Sequence, residues 1–232
     1  HKIYDIYFKM SPKYLQTYNQ IETTGLDSHF KWSSENLNMF YNGVRQASNS
    51  VFLEDTNSPQ IDWIIYKINK SESKDKFVVF SHFIDAGSKL LTDKLDKHHI
   101  KYRIISGSVS KTKRAEYVKE YNDGKIKVLF ITKAGGEGLN LMETTSIMLM
   151  EPSWNETTVK QVIGRAIRYK SHDKLPAEKQ HVDVFKLYTI KPSEYPVRYQ
   201  ILNNKFKPKE MISIDLYLKK MSLDKQDRKS VV

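Results

Sequence analysis

From residue 76 onward, short apolar runs alternate with segments of helical period, and this alternation limits the possible fold more than any other feature. The apolar runs predict strands at 77–80, 102–105, 126–131, 146–150 and 182–187. The segments between them predict helices, as at 84–98 and 110–121. Strands that alternate with helices pair in parallel, because each helix carries the chain back across the sheet. The sequence therefore predicts an α/β fold, a parallel sheet with helices on both faces.

A different pattern precedes and follows this region. A strand is predicted at 1–10, and helices are predicted after Ser11-Pro12, over 35–47 and after Ser58-Pro59, where serine can cap and proline can begin a helix. Further helices are expected at 195–206 and 212–218, before a charged tail that we expect to fray. We expect three parts: a mainly helical linker or insertion segment at 1–75, the sheet domain at 76–192, and a helical extension with a tail at 193–232.

The run 161–172 predicts a helix with two distinct sides. Four polar residues recur at the spacing of successive turns, within roughly 60° of one another; they are Gln161, Arg165, Arg168 and His172. Apolar residues on the opposite side are expected to pack; they are Val162, Ile163, Ala166 and Ile167. Two arginine forks on one side match phosphate oxygens. The same pattern also fits an ordinary amphipathic helix whose polar side forms salt bridges.

A glycine-rich run follows the strand predicted at 126–131. It contains Thr132, Lys133, Gly135, Gly136, Glu137 and Gly138. Glycines after a buried strand allow a tight turn and a close approach of the backbone to a ligand. The spacing differs from the dinucleotide fingerprint G-x-G-x-x-G, so it gives no support to a Rossmann-type enzyme. Taken alone, the run also fits a plain turn.

Composition narrows the possible partners. The 232 residues carry a net charge of +11, which suits a polyanion, although lysine-rich surfaces also serve solubility alone. The chain has no Cys, which excludes disulfides and Cys-based zinc sites. Neither His82 nor His172 has a partner spaced as a metal ligand, so we predict no metal site in this chain. No apolar run approaches 18 residues, so no membrane partner is expected.

The two motifs read T-x-A-G-G-x-G-x-N-L from Thr132 and Q-x-x-G-R-x-x-R from Gln161. In order and spacing they resemble motifs V and VI of superfamily 2 helicases, in the form of the Swi/Snf-like branch. The sequence G-R-A-I-R-x-x-S-H, from Gly164 to His172, is most similar to the corresponding sequence in nucleoside triphosphatases of large DNA viruses, of the poxvirus and African swine fever virus kind. The resemblance implies a RecA-like second motor domain of an ATP-dependent helicase or translocase.

The resemblance also implies roles for single residues. Arg168 would be the arginine finger on the γ-phosphate, and Arg165 would orient Arg168, contact a phosphate or pair with an acidic residue of the other motor domain. Residues on the nucleotide side of the site would be Gln161, Gly135 and Glu137. Nucleic acid would lie along loops that follow the strands, on Ser81, His82, Ser106, Gly107, Thr132, Lys133 and Gly136.

Two parts of such a motor are missing from the chain. It contains neither the phosphate loop G-x-x-x-x-G-K-[ST] nor an Asp-Glu dipeptide for magnesium. We therefore expect an amino-terminal RecA-like domain to supply them, with ATP and Mg²⁺ bound between the domains and this chain inactive alone. For partners, the resemblance favours DNA over RNA and admits viral transcription machinery. For location it implies the cell interior and, for a virus, the virion and host cytoplasm.

A second function stays open at this point. A basic α/β module could bind nucleic acid or a protein without any catalysis, and the +11 charge is compatible with it. The segment around Arg165 and Arg168 discriminates between the two, because a binding module has no need for two guanidinium forks directed at one point.

Overall fold

Six parallel strands form one sheet in the computed structural model, which describes residues 1–24, 45–50, 58–132, 138–153, 156–166, 171–195 and 212–230. The strands are β1 (Lys2–Lys9), β2 (Lys76–Ser81), β3 (Tyr102–Ile105), β4 (Val128–Thr132), β5 (Thr144–Leu149) and β6 (Asp183–Ile190). Their order across the sheet is β1-β6-β5-β2-β4-β3, and every neighbouring pair is parallel. The predicted α/β fold with a parallel sheet is confirmed.

Helices cover both faces of the sheet. They are α1 (Pro12–Thr24), α2 (Pro59–Lys70), α3 (Leu90–Lys97), α4 (Lys111–Asn122), α5 (Glu156–Ala166) and α6 (Ile214–Ser230). One face packs against α2 and α3, and the other packs against α4 and α5. The start of α6 packs against α1 and the end of β6. Within the described part of the chain, no helix is long and apolar enough to cross a membrane.

The core lies around β2, which is buried along its whole length. Successive side chains of a strand point to opposite faces, so Val78 packs towards α4 and α5 while Val79 packs towards α2 and α3. Full burial of such a side chain contributes about 1.5–3 kcal/mol. This burial on two faces explains why the central strands are continuous apolar runs rather than alternating ones.

The sequence predicts the sheet domain only at 76–192, but the edge strand β1 belongs to the same sheet. β1 pairs with β6 along its whole length, from Lys2 opposite Asp183 to Lys9 opposite Ile190. Helix α2, from the same expected linker segment 1–75, packs its buried isoleucines on the sheet. The sheet therefore begins at residue 2 rather than at residue 76. Alternation in 1–10 indicates a strand, but no local signal indicates a partner so distant in the chain.

Local signals placed several helix starts correctly. Ser58 Oγ accepts a hydrogen bond from the amide of Ile61, and Pro59 begins α2, as predicted.

The segment predicted as one helix at 84–98 instead begins with a π-helix, Ile84–Lys89, and continues as α3. At the other end, α6 extends to Ser230, although residues after 218 were expected to fray. Most of the predicted helix 35–47 and most of the predicted helix 195–206 lie outside the described residues.

Candidate functional site

Helix α5 carries the first part of the candidate site. Val159, Val162, Ile163 and Ala166 are buried in the core, while Gln161 is exposed. The predicted division into a packing side and a polar side is therefore confirmed as far as Ala166. The backbone of Arg165 belongs to α5, but the side chain of Arg165 and the whole of Arg168 lie outside the described part.

The structure corrects the expected extent of this helix. The prediction of a single helix up to His172 is wrong, because α5 is described to Ala166 and His172 lies in a turn. His172 Nε2 lies 2.7 Å from the carbonyl oxygen of Thr144, the first residue of β5. Helix α5 thus starts beyond the carboxyl end of β5, after Ser153, and ends near the amino end of the same strand. Eleven residues of α-helix span about 16 Å, close to the length of β5.

The second part of the candidate site lies at the carboxyl ends of the strands. Ser81 and Thr132 are the last residues of β2 and β4, they are register partners, and both are buried. Ser106 and Gly107 follow β3, with the Ser106 hydroxyl 2.8 Å from the Ser108 hydroxyl. The structure thus brings Ser81 and Thr132 together at one edge. The predicted residues Lys133, Gly135, Gly136 and Glu137 lie outside the described residues.

Ser81 and His82 are held by a buried carboxylate that sequence reasoning missed. Glu151 lies two residues after the end of β5 and is 1% exposed. Its carboxylate accepts hydrogen bonds from the Ser81 hydroxyl, from the Asn49 amide and, over 3.1 Å, from the backbone amide of His82. The Ser81 hydroxyl therefore points into the protein. The bond from the His82 amide holds the turn after β2 against the buried carboxylate. An acidic residue that ends an apolar strand is the signal that could have identified Glu151.

A short helical segment, residues 45–50, completes this buried cluster. Arg45 donates to the carbonyl oxygen of Pro152 over 3.2 Å, and its guanidinium lies 5.3 Å from the centre of the Phe83 ring. The segment 45–50 therefore contacts two of the loops that follow the carboxyl ends of the strands. Apart from the half-buried Gln46, the residues of this segment are buried.

The ionisable groups of this cluster are buried, and hydrogen bonds and opposite charges offset part of the cost of burying them. Burial raises the pKa of Glu151, while its bonds from Ser81, Asn49 and His82 and the nearby Arg45 act in the opposite direction. Burial raises the pKa of Asp215, in the first turn of α6, to about 7. Burial also lowers the pKa of Arg45. Three ionisable side chains thus meet behind the strand ends, and each costs free energy to keep charged.

Metal binding receives no support from the described residues, where no three His, Asp or Glu side chains form a group that could hold an ion. His82 packs its ring edge-to-face against Phe80, with 5.0 Å between the ring centres. His172 bonds to Ser171 and Thr144. Both rings thus have packing or hydrogen-bonding roles.

Comparison with known proteins agrees with this geometry. The family described as helicase conserved C-terminal domain matches residues 59–170. A mimivirus protein that carries the name of an ATP-dependent RNA helicase, L538 of Acanthamoeba polyphaga mimivirus, is 42% identical over 162 residues, 70% of this chain. Nucleoside triphosphatase I of Heliothis armigera entomopoxvirus is 30% identical over 171 residues, 67% of this chain. The chain spans only 36% and 26% of these two proteins.

Solved structures give the same fold. The carboxy-terminal part of the Fun30 ATPase domain superposes with a TM-score of 0.64 at 14% identity, over 97% of this chain and 98% of that one. The Sulfolobus solfataricus SWI2/SNF2 ATPase core, solved with double-stranded DNA, gives 0.62 at 16% identity, over 88% of this chain and 44% of that one. At such identities the likeness concerns the fold alone. Together with the two motifs and the viral relatives, it leads to one assignment: this chain contains a helicase conserved C-terminal domain of the superfamily 2 type, with a RecA-like fold.

Proposed function

We propose that this chain is the second motor domain of an ATP-dependent helicase or translocase that acts on nucleic acid. The observation that carries the proposal is the two-sided helix α5, which buries Val162 and Ile163 and leaves Gln161 exposed. A helix anchored this way can hold the arginines of its carboxyl-terminal segment in a fixed position. Arg168 then acts as the arginine finger on the γ-phosphate, and Arg165 supports it.

ATP and Mg²⁺ belong to a site that this chain forms only in part. Gln161 and the loop residues Gly135 and Glu137 contribute to the nucleotide side of the cleft. The phosphate loop and the acidic pair come from an amino-terminal RecA-like domain, which also supplies the ligands of Mg²⁺. The names of the viral relatives, an ATP-dependent RNA helicase and a nucleoside triphosphatase, support the use of ATP. Closure of the two domains over ATP couples hydrolysis to movement along the strand.

Nucleic acid is the proposed track, and we favour DNA over RNA. The net charge of +11 suits a polyanion. Ser81, Ser106 and Thr132 lie at the carboxyl ends of β2, β3 and β4, on one edge of the sheet. Lys133 and Gly136 follow Thr132 in the sequence. Support for DNA comes from the archaeal fold relative solved with double-stranded DNA. We further propose that the protein acts with viral transcription machinery, in the virion and the host cytoplasm.

The decisive experiment is single-turnover ATP hydrolysis by the complete two-domain protein. Arg168→Ala should lower the rate by about 10³-fold or more, the range of arginine fingers, while nucleotide affinity changes far less. Arg168→Lys should restore little, because lysine lacks the planar fork. Arg103→Ala is the matched control, since Arg103 pairs with Glu120 on α4, away from α5.

Two further measurements separate catalysis from folding. Thermal melting should leave Arg168→Ala close to the parent, whereas Ile163→Asp should unfold the domain by burying an unpaired charge. This chain alone should show no ATP turnover above a blank. If neither Arg168→Ala nor Arg165→Ala slows hydrolysis, the finger lies elsewhere; if the complete protein binds nucleic acid without hydrolysing ATP, the chain is a basic binding module.

A further inference from the structure

The turn that follows the arginine segment is attached to β5 by a chain of hydrogen bonds. Ser171 is 1% exposed, and its hydroxyl lies 3.3 Å from the carbonyl oxygen of Ala166, the last residue of α5. The same hydroxyl lies 2.8 Å from His172 Nδ1. His172 Nε2 lies 2.7 Å from the carbonyl oxygen of Thr144. One helix end and one strand start are thus joined through two adjacent side chains.

The roles of donor and acceptor follow from the groups at the two ends of this chain. A carbonyl oxygen only accepts, so His172 must carry a hydrogen on Nε2 to bond Thr144. The Ala166 carbonyl oxygen, in the last described turn of α5, can accept a hydrogen bond from the Ser171 hydroxyl. The Ser171 hydroxyl has one hydrogen, and Nδ1 of a neutral ring protonated on Nε2 only accepts, so the hydroxyl donates either to Ala166 or to His172 Nδ1. In the first case it holds the end of α5 directly, and in the second it orients the ring that bonds to β5.

The strand side of this connection is itself held rigidly. The amide of Glu143, which precedes β5, donates to the Ser171 carbonyl oxygen over 2.7 Å. Glu143 has φ 59°, a left-handed conformation that costs a non-glycine residue free energy. Its carboxylate pairs at 3.2 Å with Lys76, which is 4% exposed and also donates to the carbonyl oxygens of Tyr121 and Asn122. The strain is therefore maintained by contacts on several sides.

We propose that Ser171 and His172 form a positioning pair that fixes the arginine-bearing end of α5 on the amino end of β5. Arg165 is adjacent to the capped residue Ala166, and Arg168 lies in the sequence between Ala166 and Ser171. A catalytic guanidinium displaced by about 1 Å loses much of its effect, so its support controls the rate. The catalytic consequence rests on the proposed function; the anchoring of α5 does not.

The anchoring is tested on this chain itself by amide hydrogen exchange of the last turn of α5. His172→Gln places an amide nitrogen at the position of Nε2 and should keep the bond to Thr144. His172→Asn reaches only the position of Nδ1 and should lose that bond. We expect about tenfold faster exchange around Gly164 to Ala166 in His172→Asn, and exchange within about threefold of the parent in His172→Gln. His181→Asn is the control, since the ring of His181 pairs with Asp183 at the amino end of β6.

The catalytic part is tested in the complete two-domain protein at a temperature well below its melting point. His172→Asn should lower kcat about 10- to 100-fold with the KM for ATP within about threefold, and His172→Gln should restore most of the rate. Unchanged exchange in His172→Asn would overturn the anchor. Faster exchange with an unchanged kcat would overturn its role in positioning. If Arg168→Ala leaves hydrolysis intact while the exchange difference persists, the proposed function fails and the anchor remains.

Discussion

The backbone amide of Thr189 donates a hydrogen bond of 2.7 Å to the carboxylate of Asp215. Thr189 lies near the end of β6, and Asp215 lies in the first turn of α6, so this bond attaches the last described helix to the sheet. Asp215 is fully buried, next to the cluster around Glu151 and Arg45. The docking of α6 therefore involves a carboxyl group whose ionisation is disfavoured by burial.

Asp215→Asn should make the protein less sensitive to pH. Burial raises the pKa of Asp215 from 3.8 to about 7, so the folded protein keeps this proton where the unfolded chain releases it. Stability is consequently lost as the pH rises from about 4 to about 7, and the loss persists above pH 7. Between pH 4 and pH 8, the free energy of unfolding of the parent should fall by about 2–4 kcal/mol relative to Asp215→Asn.

Chemical denaturation of both proteins across this pH range measures the difference. Asp173→Asn is the control, because Asp173 is exposed and should leave the pH dependence of the parent unchanged. A constant difference between the parent and Asp215→Asn from pH 4 to pH 8 would show that Asp215 titrates alike in the folded and unfolded states.

Gly87→Ala should destabilise the protein, whereas Gly164→Ala should not. A Cβ at Gly87 would lie 2.4 Å from the Ser81 hydroxyl oxygen and 2.9 Å from its Cβ, so the π-helix would have to move away from β2. We expect a loss of about 1–3 kcal/mol, typical of an overpacked site. A Cβ at Gly164 would meet nothing within 4 Å, so alanine should stabilise α5 by about 0.5–1 kcal/mol.

Urea denaturation of the two alanine variants provides the comparison. Equal stability of Gly87→Ala and the parent would contradict the tight approach of the π-helix to Ser81. The same samples can be tested for binding to DNA, since a displaced π-helix also moves the turn after β2. Gly164→Ala serves as the control for binding as well as for folding.

Binding of DNA by the complete protein should weaken as the salt concentration rises, and the steepness of the loss reports how many phosphates the protein contacts. The logarithm of the affinity should fall linearly with the logarithm of the salt concentration, by about 0.9 for each phosphate neutralised on duplex DNA. Lys133→Ala should reduce that slope by about one and weaken all sequences alike. Lys70→Ala, at the exposed end of α2, should leave the slope unchanged. Fluorescence anisotropy at five or more salt concentrations measures both slopes, and equal slopes for the two variants would argue against a track at the strand ends.

Sequence reasoning succeeded where the signal is local. The packing side of α5 followed from the spacing of Val162, Ile163 and Ala166, and the start of α2 followed from Ser58-Pro59. The parallel sheet followed from the alternation of strands and helices after residue 76. For the two helices the physical cause, either helical period or capping, lies within a few residues of its effect.

Long-range polar contacts account for most of what was missed. Asn49 and Glu151 are 102 positions apart, and nothing near either residue indicates that the two side chains meet. Asp215 looked like one charged residue in a short helix, and its burial depends on the packing of α1, β6 and the segment 45–50. The π-helix at 84–89 contains Gly87, which closely approaches Ser81, and no periodicity encodes that approach. The residues Arg165 and Arg168 were assigned by motif resemblance, and their roles stay predictions.

The position of β1 has a consequence for the synthesis of this protein. β1 is among the first residues of this chain to leave the ribosome, yet its described partner β6 begins about 180 residues later. At roughly 5–20 residues per second, β1 waits roughly 10 to 40 seconds for that partner. During this time its apolar residues Ile6 and Phe8 have no sheet to cover them. A nascent chain that stalls before Asp183 thus exposes an unpaired strand, and chaperone capture of β1 is expected to be most important in that interval.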